Sequence, residues 1–265
     1  MAQPVLGGFR MNASLYQAAA ALDGNIQWQQ MIAENLAASS NPGFKKQDIS
    51  FSTVQAGVLG AGSSDLVAQN HRSFLPAPSI STNFSQGTLR ATGNKSDIAL
   101  EDSGKTIGFL QVQLPDGQIA YTRDGEFHIG SQGQLQNKDG FPLLGEGGGP
   151  IQVDPGTPES LSITPTGDIS QRDVIRGKFA IFEFASPSQL TRVGSGYYMP
   201  KPNVQATPST GTKIAQGYQE AANTVPTMEM STLMLALRHF EANQRVIQMQ
   251  DERMGRLIQE LSVTS

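Results

Sequence analysis

The sequence predicts an α+β protein in which N- and C-terminal helices pair as a coiled-coil-like domain and a central antiparallel all-β domain lies between them. Three observations lead there. Apolar residues recur at alternating steps of three and four near both ends, tight-turn dipeptides punctuate an alternating apolar pattern in the middle, and a Gly/Ser/Pro-rich stretch separates the first helix from the strands. The expected divisions are an N-terminal helical segment over 1–44, an extended linker over 45–83, a β domain over 84–205 and a C-terminal segment with a long helix over 206–265.

The first helix is expected from about residue 12 to 39. Leu15, Ala19, Leu22, Ile26, Gln29, Ala33 and Leu36 form its seam, apolar at every position but Gln29. So narrow a stripe suits packing against another long helix rather than a globular core. Asn12 offers a side-chain oxygen for the unpaired amides of the first turn. Asn41-Pro42-Gly43 ends the helix, because proline lacks an amide donor and drives the residue before it out of α space.

The composition from Lys45 to about Ser81, with Gly60-Ala61-Gly62-Ser63-Ser64 and Pro76-Ala77-Pro78, reads as an extended linker ordered by a partner. From Phe84 to Tyr198 the pattern changes. Asp116-Gly117, Asp124-Gly125, Gln132-Gly133 and Asp139-Gly140 alternate with Ile119, Tyr121, Phe127, Ile129 and Leu135. Such dipeptides supply the positive φ of hairpin turns, so a β-meander is expected. A second β section covers Ser160 to Phe184.

The last helix is expected from Thr227 to Leu261. Its seam is Met230, Leu233, Leu237, Phe240, Gln244, Ile247, Asp251, Met254, Ile258 and Leu261, interrupted only by Gln244 and Asp251. Polar seam positions either fix register or lie in solvent. A narrow seam on a long isolated helix gains little beyond its costly nucleus, so both ends need partners: each other, further copies, or both.

Composition excludes several classes. The 265 residues carry a net charge of −4, 16% charged side chains against a typical value of about 25%, 25 glutamines, 24 serines and no cysteine. Without a concentrated basic footprint the chain is not expected to bind nucleic acid. No stretch approaches the ~20 apolar residues of a membrane span, and Ala18–Leu22 is too short and too interrupted for a signal-peptide core. Without cysteine there are no disulfides or thiolate metal sites.

The motifs at the junctions carry a resemblance. Ser14-Leu15-Tyr16, Ile32-Ala33-Glu34-Asn35-Leu36-Ala37 and Asn41-Pro42-Gly43-Phe44-Lys45 resemble the N-terminal signature of the bacterial flagellar rod and hook proteins. Gln86-Gly87-Thr88-Leu89, Thr92-Gly93-Asn94, Asp97-Ile98-Ala99-Leu100 and Tyr121-Thr122-Arg123-Asp124-Gly125-Glu126-Phe127 look like that family's β-domain signature. Gln216-Gly217-Tyr218-Gln219-Glu220, Glu229-Met230, Phe240-Glu241-Ala242-Asn243-Gln244 and Asp251-Glu252-Arg253-Met254 resemble its C-terminal signature. The chain departs from the family pattern at Glu34 and Ala38, where Asn is usual, and at Ala222-Asn223-Thr224, where Ser-Asn-Val is usual.

The resemblance implies a structural subunit of the flagellar basal-body rod, proximal or distal, polymerising helically in the cell envelope and periplasm into the shaft from motor to hook. The implied partners are copies of itself, other rod and hook proteins and the flagellar export apparatus, which would pass the chain unfolded without a cleaved signal. No cofactor, metal or small-molecule substrate is implied. A hook-type axial protein is an alternative, although hook subunits carry an extra domain for which 265 residues leave no room. A secreted glycan- or peptidoglycan-binding β module is the alternative of another class, with Tyr197-Tyr198 its one aromatic candidate. Catalysis has little support: His71, His128 and His239 lie in different regimes, and Glu101 and Asp102 would point to opposite faces of a strand.

Overall fold

In a computed structural model, the structure describes residues 6–55, 74–104 and 106–263. The described chain falls into two compact units. One takes in both long helices and a strand pair. The other is formed by Ala37–Lys46 and Thr82–Val225 and is almost entirely β.

The helical unit contains α1 (Leu6–Ala37), β1 (Gln47–Gln55), β2 (Phe74–Thr82) and α2 (Pro226–Val263). Helix α1 starts earlier than the sequence suggests. It runs through Gly7 and Gly8 and takes Asn12 into its interior, so Asn12 is not a cap; once nucleated, a helix gains a hydrogen bond for each residue added. Pro226 opens α2 at the first helical position, where its missing amide has no cost.

The two helices and β1 meet in a small apolar cluster of Met31, Ile32 and Ala236, with Trp28, Ile49 and Leu233 packed against it. Trp28 lies edge-on to Phe51 at 6.0 Å and tilted against His239 at 6.0 Å. The buried stripe of α1 passes through Asn25, Met31, Ile32 and Asn35. It is thus rotated by about one residue from the expected seam. Ala19, Ile26 and Ala33 are exposed, and Leu22 and Leu36 half-buried. On α2, Leu233, Phe240, Ile247 and Met254 are half-buried, while Met230, Leu237 and Ile258 are exposed. Ala236, the smallest member of the cluster, packs against Met31 and Ile32. The side chains of Leu15 and Leu261 lie outside the described residues.

Where the sequence suggested an unpaired linker, β1 and β2 form a two-stranded sheet. Ser50 and Ser52 donate to the carbonyls of Ser79 and Ala77, which sets the strands antiparallel. Both strands are edges, so Pro76 and Pro78 are tolerated in β2. The Gly60–Ser64 run and His71 lie outside the described residues.

The β unit contains β3 (Leu89–Ala91), β4 (Ile98–Glu101), β5 (Gly108–Gln113), β6 (Ile119–Thr122), β7 (Phe127–Ile129), β8 (Leu135–Asn137), β9 (Leu161–Ile163), β10 (Asp168–Gln171), β11 (Val174–Lys178), β12 (Ile181–Glu183), β13 (Leu190–Arg192), β14 (Tyr197–Pro200), β15 (Thr207–Pro208), β16 (Lys213–Gln216) and β17 (Tyr218–Glu220). Its main sheet has the order β13-β14-β6-β5-β12-β15, antiparallel throughout. A three-stranded sheet β11-β10-β9 and the pairs β16-β4, β17-β3 and β7-β8 surround it. Strands therefore continue to Glu220, past the expected boundary at 205.

Strand β5 lies inside the main sheet and is buried on both faces, so its polar Gln111 is buried too and donates to the Tyr121 hydroxyl at 3.0 Å. Leu110 and Val112 join a large core with Ile98, Phe127, Leu135, Leu143, Ile169 and Phe179. Phe109 joins a second, aromatic core with Phe84, Tyr121, Phe184 and Tyr198. Edge-to-face contacts hold the latter together, with Tyr121 and Phe184 4.8 Å apart.

The expected meander is interrupted. Gly117, Gly133 and Gly140 take positive φ in turns as anticipated, but Asp124-Gly125 is no hairpin turn. Gly125 is buried beside β4, where an added Cβ would stand 1.7 Å from the Ile98 carbonyl oxygen. Its own carbonyl accepts the Ile98 amide at 3.0 Å. This glycine serves a close backbone approach, so β6 and β7 diverge and β6 pairs with β14 instead.

Candidate functional site

The signature segments of the β unit converge on one carboxylate. The turn Asn41–Lys45 leads the chain from the end of α1, and Asn41 donates its side-chain amide to Ser195 Oγ at 3.2 Å. Gly43 has φ +66°, and a Cβ there would lie 2.3 Å from the Arg123 carbonyl group. Only glycine fits both the conformation and the space. The Gly43 amide donates to the Glu220 carbonyl at 2.7 Å, and Phe44 is buried with the Arg192 guanidinium 4.9 Å above its ring.

Lys45 is fully buried. Its ammonium donates to Glu220 Oε1 and, at 2.8 Å, to the Ser85 carbonyl. Arg123, at the end of β6, is also buried and makes four hydrogen bonds. Nε donates to Glu220 Oε2 at 2.8 Å, one terminal nitrogen to Asp102 at 3.0 Å and the Gly108 carbonyl at 2.7 Å, and the other to the Leu100 carbonyl at 3.2 Å while standing 2.7 Å from Glu220 Oε2 as an ion pair. Glu220 Oε1 accepts the Gly87 amide as well. Two cations thus face two carboxylates in a neutral quartet from four distant parts of the chain.

The electrostatics follow from burial. Desolvation lowers the Lys45 pKa, and the Glu220 charge only partly opposes this. For Arg123 desolvation also acts downward, but Glu220 and Asp102 outweigh it and the pKa rises. Removing such charges from water costs several kcal/mol per ion before their attraction is counted. The quartet is therefore a device of specificity, tying particular segments together, more than a source of net stability.

Neighbouring groups extend the clamp. Asn223 accepts the Lys46 amide at 2.7 Å and donates to the Asn83 carbonyl at 2.8 Å, binding the entering strand to the departing one. Thr122 Oγ1 donates to the Gly196 carbonyl and accepts the Asp124 amide. Asp124 in turn accepts the Glu126 amide at 3.0 Å and faces Lys138 at 3.5 Å. In the helical unit, Asn35 makes a two-point contact with Gln47, donating to its carbonyl at 2.8 Å and accepting its amide at 2.9 Å.

Asn41, Pro42, Gly43 and Phe44 thus belong with Thr122, Arg123 and Asp124, whereas Asn35 fixes β1 to α1. Tyr121 sits in the aromatic core, and Tyr197 and Tyr198 are buried, which removes the aromatic platform a glycan-binding module needs. Glu101, the last residue of β4, is exposed, while Asp102, just past the strand, binds Arg123. Lys45, Asp102, Glu220 and Asn223 were not singled out as site residues. The available signal was charge retained inside apolar signatures in a chain with few charges. Among the described residues no group of three or more His, Asp or Glu side chains could hold a metal, and no helix is long and apolar enough to cross a membrane.

Comparison with known proteins places this geometry. The flagellar hook protein FlgE/F/G D1 domain model matches residues 105–171, and the flagellar basal body rod FlgEFG protein C-terminal model matches 215–260. Arg123 lies in the first match and Glu220 in the second. The flagellar basal-body rod protein FlgF of Caulobacter vibrioides is 30% identical over 212 residues, covering 80% of this chain and 82% of that protein. The chain belongs to the flagellar basal-body rod protein family. FlgG of Buchnera aphidicola is 29% identical over 94% of this chain and all of its own length, and FlgF of Salmonella typhimurium 29% over 96% of this chain and all of its own. Rod proteins of both names therefore match end to end, and the Arg123–Glu220 pair joins the two segments matched by the family models.

Two expectations test the site. Glu220→Ala leaves two buried cations without their shared acceptor, and a urea melt of the β unit should show a loss of about 3–5 kcal/mol; a loss below about 1 kcal/mol would contradict the clamp. Burial pushes the Asp124 carboxyl up to about 6 from 3.8, against the Glu126 amide and Lys138. A carboxyl with a raised folded pKa favours the folded state most when protonated and gives up stability as pH rises from about 4 through 6. Asp124→Asn removes that loss, so its stability relative to the parent should grow by up to about 3 kcal/mol between pH 4 and pH 7 and then level off. A difference independent of pH would refute the assignment.

Proposed function

We propose that this chain is a structural subunit of the flagellar basal-body rod, polymerising helically with copies of itself and with other axial proteins into the shaft that joins motor to hook. One observation carries the assembly reading: the β unit closes its apolar cores, while the long helices leave theirs open. Met230, Met234 and Leu237 follow one flank of α2 at spacings of four and three, and Met228 and Leu235 lie on another, all exposed together with Val246, Met249 and Ile258. A helix apolar on more than one side calls for neighbours on more than one side. At ~1.5 Å per residue α2 is about 57 Å long, enough to contact several subunits along a shaft. In this reading the expected seams of α1 and α2 become contacts between helices in the polymer, and heterologous contacts that do not close yield a helical filament.

The finer parts of the reading are an extended coiled-coil-like inner layer, a position in the cell envelope and periplasm, and passage through the flagellar export apparatus without a cleaved signal. The 265 residues without cysteine are compatible with an oxidising destination.

Ile258, 65% exposed on α2, gives the direct test. In the purified full-length chain Ile258→Asp should leave the melting of the β unit unchanged within about 0.5 kcal/mol, and it should abolish rods in basal bodies viewed by electron microscopy when it replaces the parent gene in a deletion strain. Normal rods with the substituted chain would refute assembly through this helix.

A further inference from the structure

The helix that carries the assembly reading is also where the thioethers are concentrated. Five of the nine methionines lie on α2, at positions 228, 230, 234, 249 and 254. Met228, Met230, Met234 and Met249 are 65%, 49%, 58% and 56% exposed, whereas Met31 is 6% exposed and Met199 packs against the main β core. With no cysteine in the chain, these four are the exposed soft nucleophiles among the methionines whose burial the structure describes.

We propose that Met228, Met230, Met234 and Met249 are oxidant-responsive modification sites, at which a hydroperoxide reversibly turns an assembly-competent helix into one that stays apart. This regulation rests on the proposed role of α2 in assembly. A sulfur lone pair attacks the outer peroxide oxygen, the O–O bond breaks and an S–O bond forms. Sulfur is oxidised by two electrons, and the proton of the transferred oxygen passes through solvent to the departing hydroxide or alkoxide, which leaves as water, or as an alcohol if the oxidant is organic. Sulfoxide reductases reverse the change with two electrons from a dithiol, which becomes a disulfide as the oxygen leaves as water.

The consequence follows from where the oxygens appear. A thioether is apolar and adaptable, suited to a face that must fit several neighbours. A sulfoxide is a strong acceptor and resists burial without a donor. In the first turns of α2 two nearby hydroxyls are committed: Ser231 donates to the Thr227 carbonyl and Thr232 to the Met228 carbonyl, each at 2.9 Å. Sulfoxides at 228 and 230 would therefore bring into an interface acceptors that these two hydroxyls do not serve. Once the helix is covered by neighbours the same sulfurs are shielded, so the sensitivity belongs to the unassembled subunit.

The test uses the purified full-length chain and hydrogen peroxide. Timed peptide mass mapping should show the four exposed methionines oxidised about tenfold or more faster than Met31 and Met199. Sedimentation should show self-association of treated protein weakened by about tenfold or more, the fold-change of an unpaired buried acceptor, and restored by sulfoxide reductase. The variant M228L/M230L/M234L/M249L should associate untreated and keep doing so after peroxide. Oxidation of Met31 as fast as the four, association unchanged by complete oxidation, or a Leu variant as sensitive as the parent would each overturn the proposal. If the Leu variant fails to associate, repair by reductase decides: oxidised parent that does not recover overturns it. Untreated parent that never associates overturns the assembly reading and this regulation together, whatever the order of oxidation.

Discussion

Lys45, Gly87, Arg123 and Glu220 are scattered along the chain, and the Glu220 carboxylate is the point at which all of them meet. Oε1 accepts from Lys45 and the Gly87 amide, and Oε2 accepts from Arg123 Nε, with a terminal guanidinium nitrogen beside it. Two buried cations are tolerated only because it lies between them, and Asp102 completes the neutralisation. An apolar substitute for the whole quartet could match its stability, since buried ion pairs seldom gain over well-packed hydrophobic residues. It could not reproduce the selectivity. A carboxylate with three directed donors admits one arrangement of the entering turn, the end of β6 and the departing strand β17.

That arrangement gives a physical meaning to residues that otherwise read as a motif. Gly43 is glycine because Arg123 backbone lies where a side chain would begin, and Gly125 because β4 passes closer still. Phe44 and Lys45 are adjacent in sequence and yet satisfy opposite demands, one under a guanidinium and one against a carboxylate. Asn35 does with an uncharged side chain for β1 what Glu220 does for the β unit: it pairs with backbone groups that would otherwise be left without partners.

The fold was legible in the sequence where periodicity was strong. Both long helices follow from steps of three and four, and the strands around Ile119, Tyr121 and Leu135 from alternation with turn dipeptides. Boundaries and faces were harder. Asp124-Gly125 has the composition of a hairpin turn, and only the close passage of β4 shows why it is not one. The seam of α1 was read by apolarity, but Asn25 and Asn35 occupy the buried stripe while Ile26 and Ala33 do not. A side chain chosen for its hydrogen bonds is invisible to a count of apolar positions. Strands β1 and β2 were hidden for a related reason: a two-stranded sheet with proline in one strand and serine in the other has the composition of a linker. Of the site, the signature residues stood out in the sequence, but that Lys45, Arg123 and Glu220 share one centre did not, because nothing local links positions so far apart.

The separation of Lys45 and Glu220, 175 residues, has a consequence for time rather than space. The β unit cannot complete its ionic centre until β17 is available. A chain that emerges amino end first, from a ribosome or from any narrow passage, therefore holds Lys45 without its carboxylate, and Arg123 with Asp102 alone, until residue 220 has followed. They favour solvent until the last strand arrives. Closure of so distant a contact is slow, and the unfinished state persists for as long as the carboxylate is still to come.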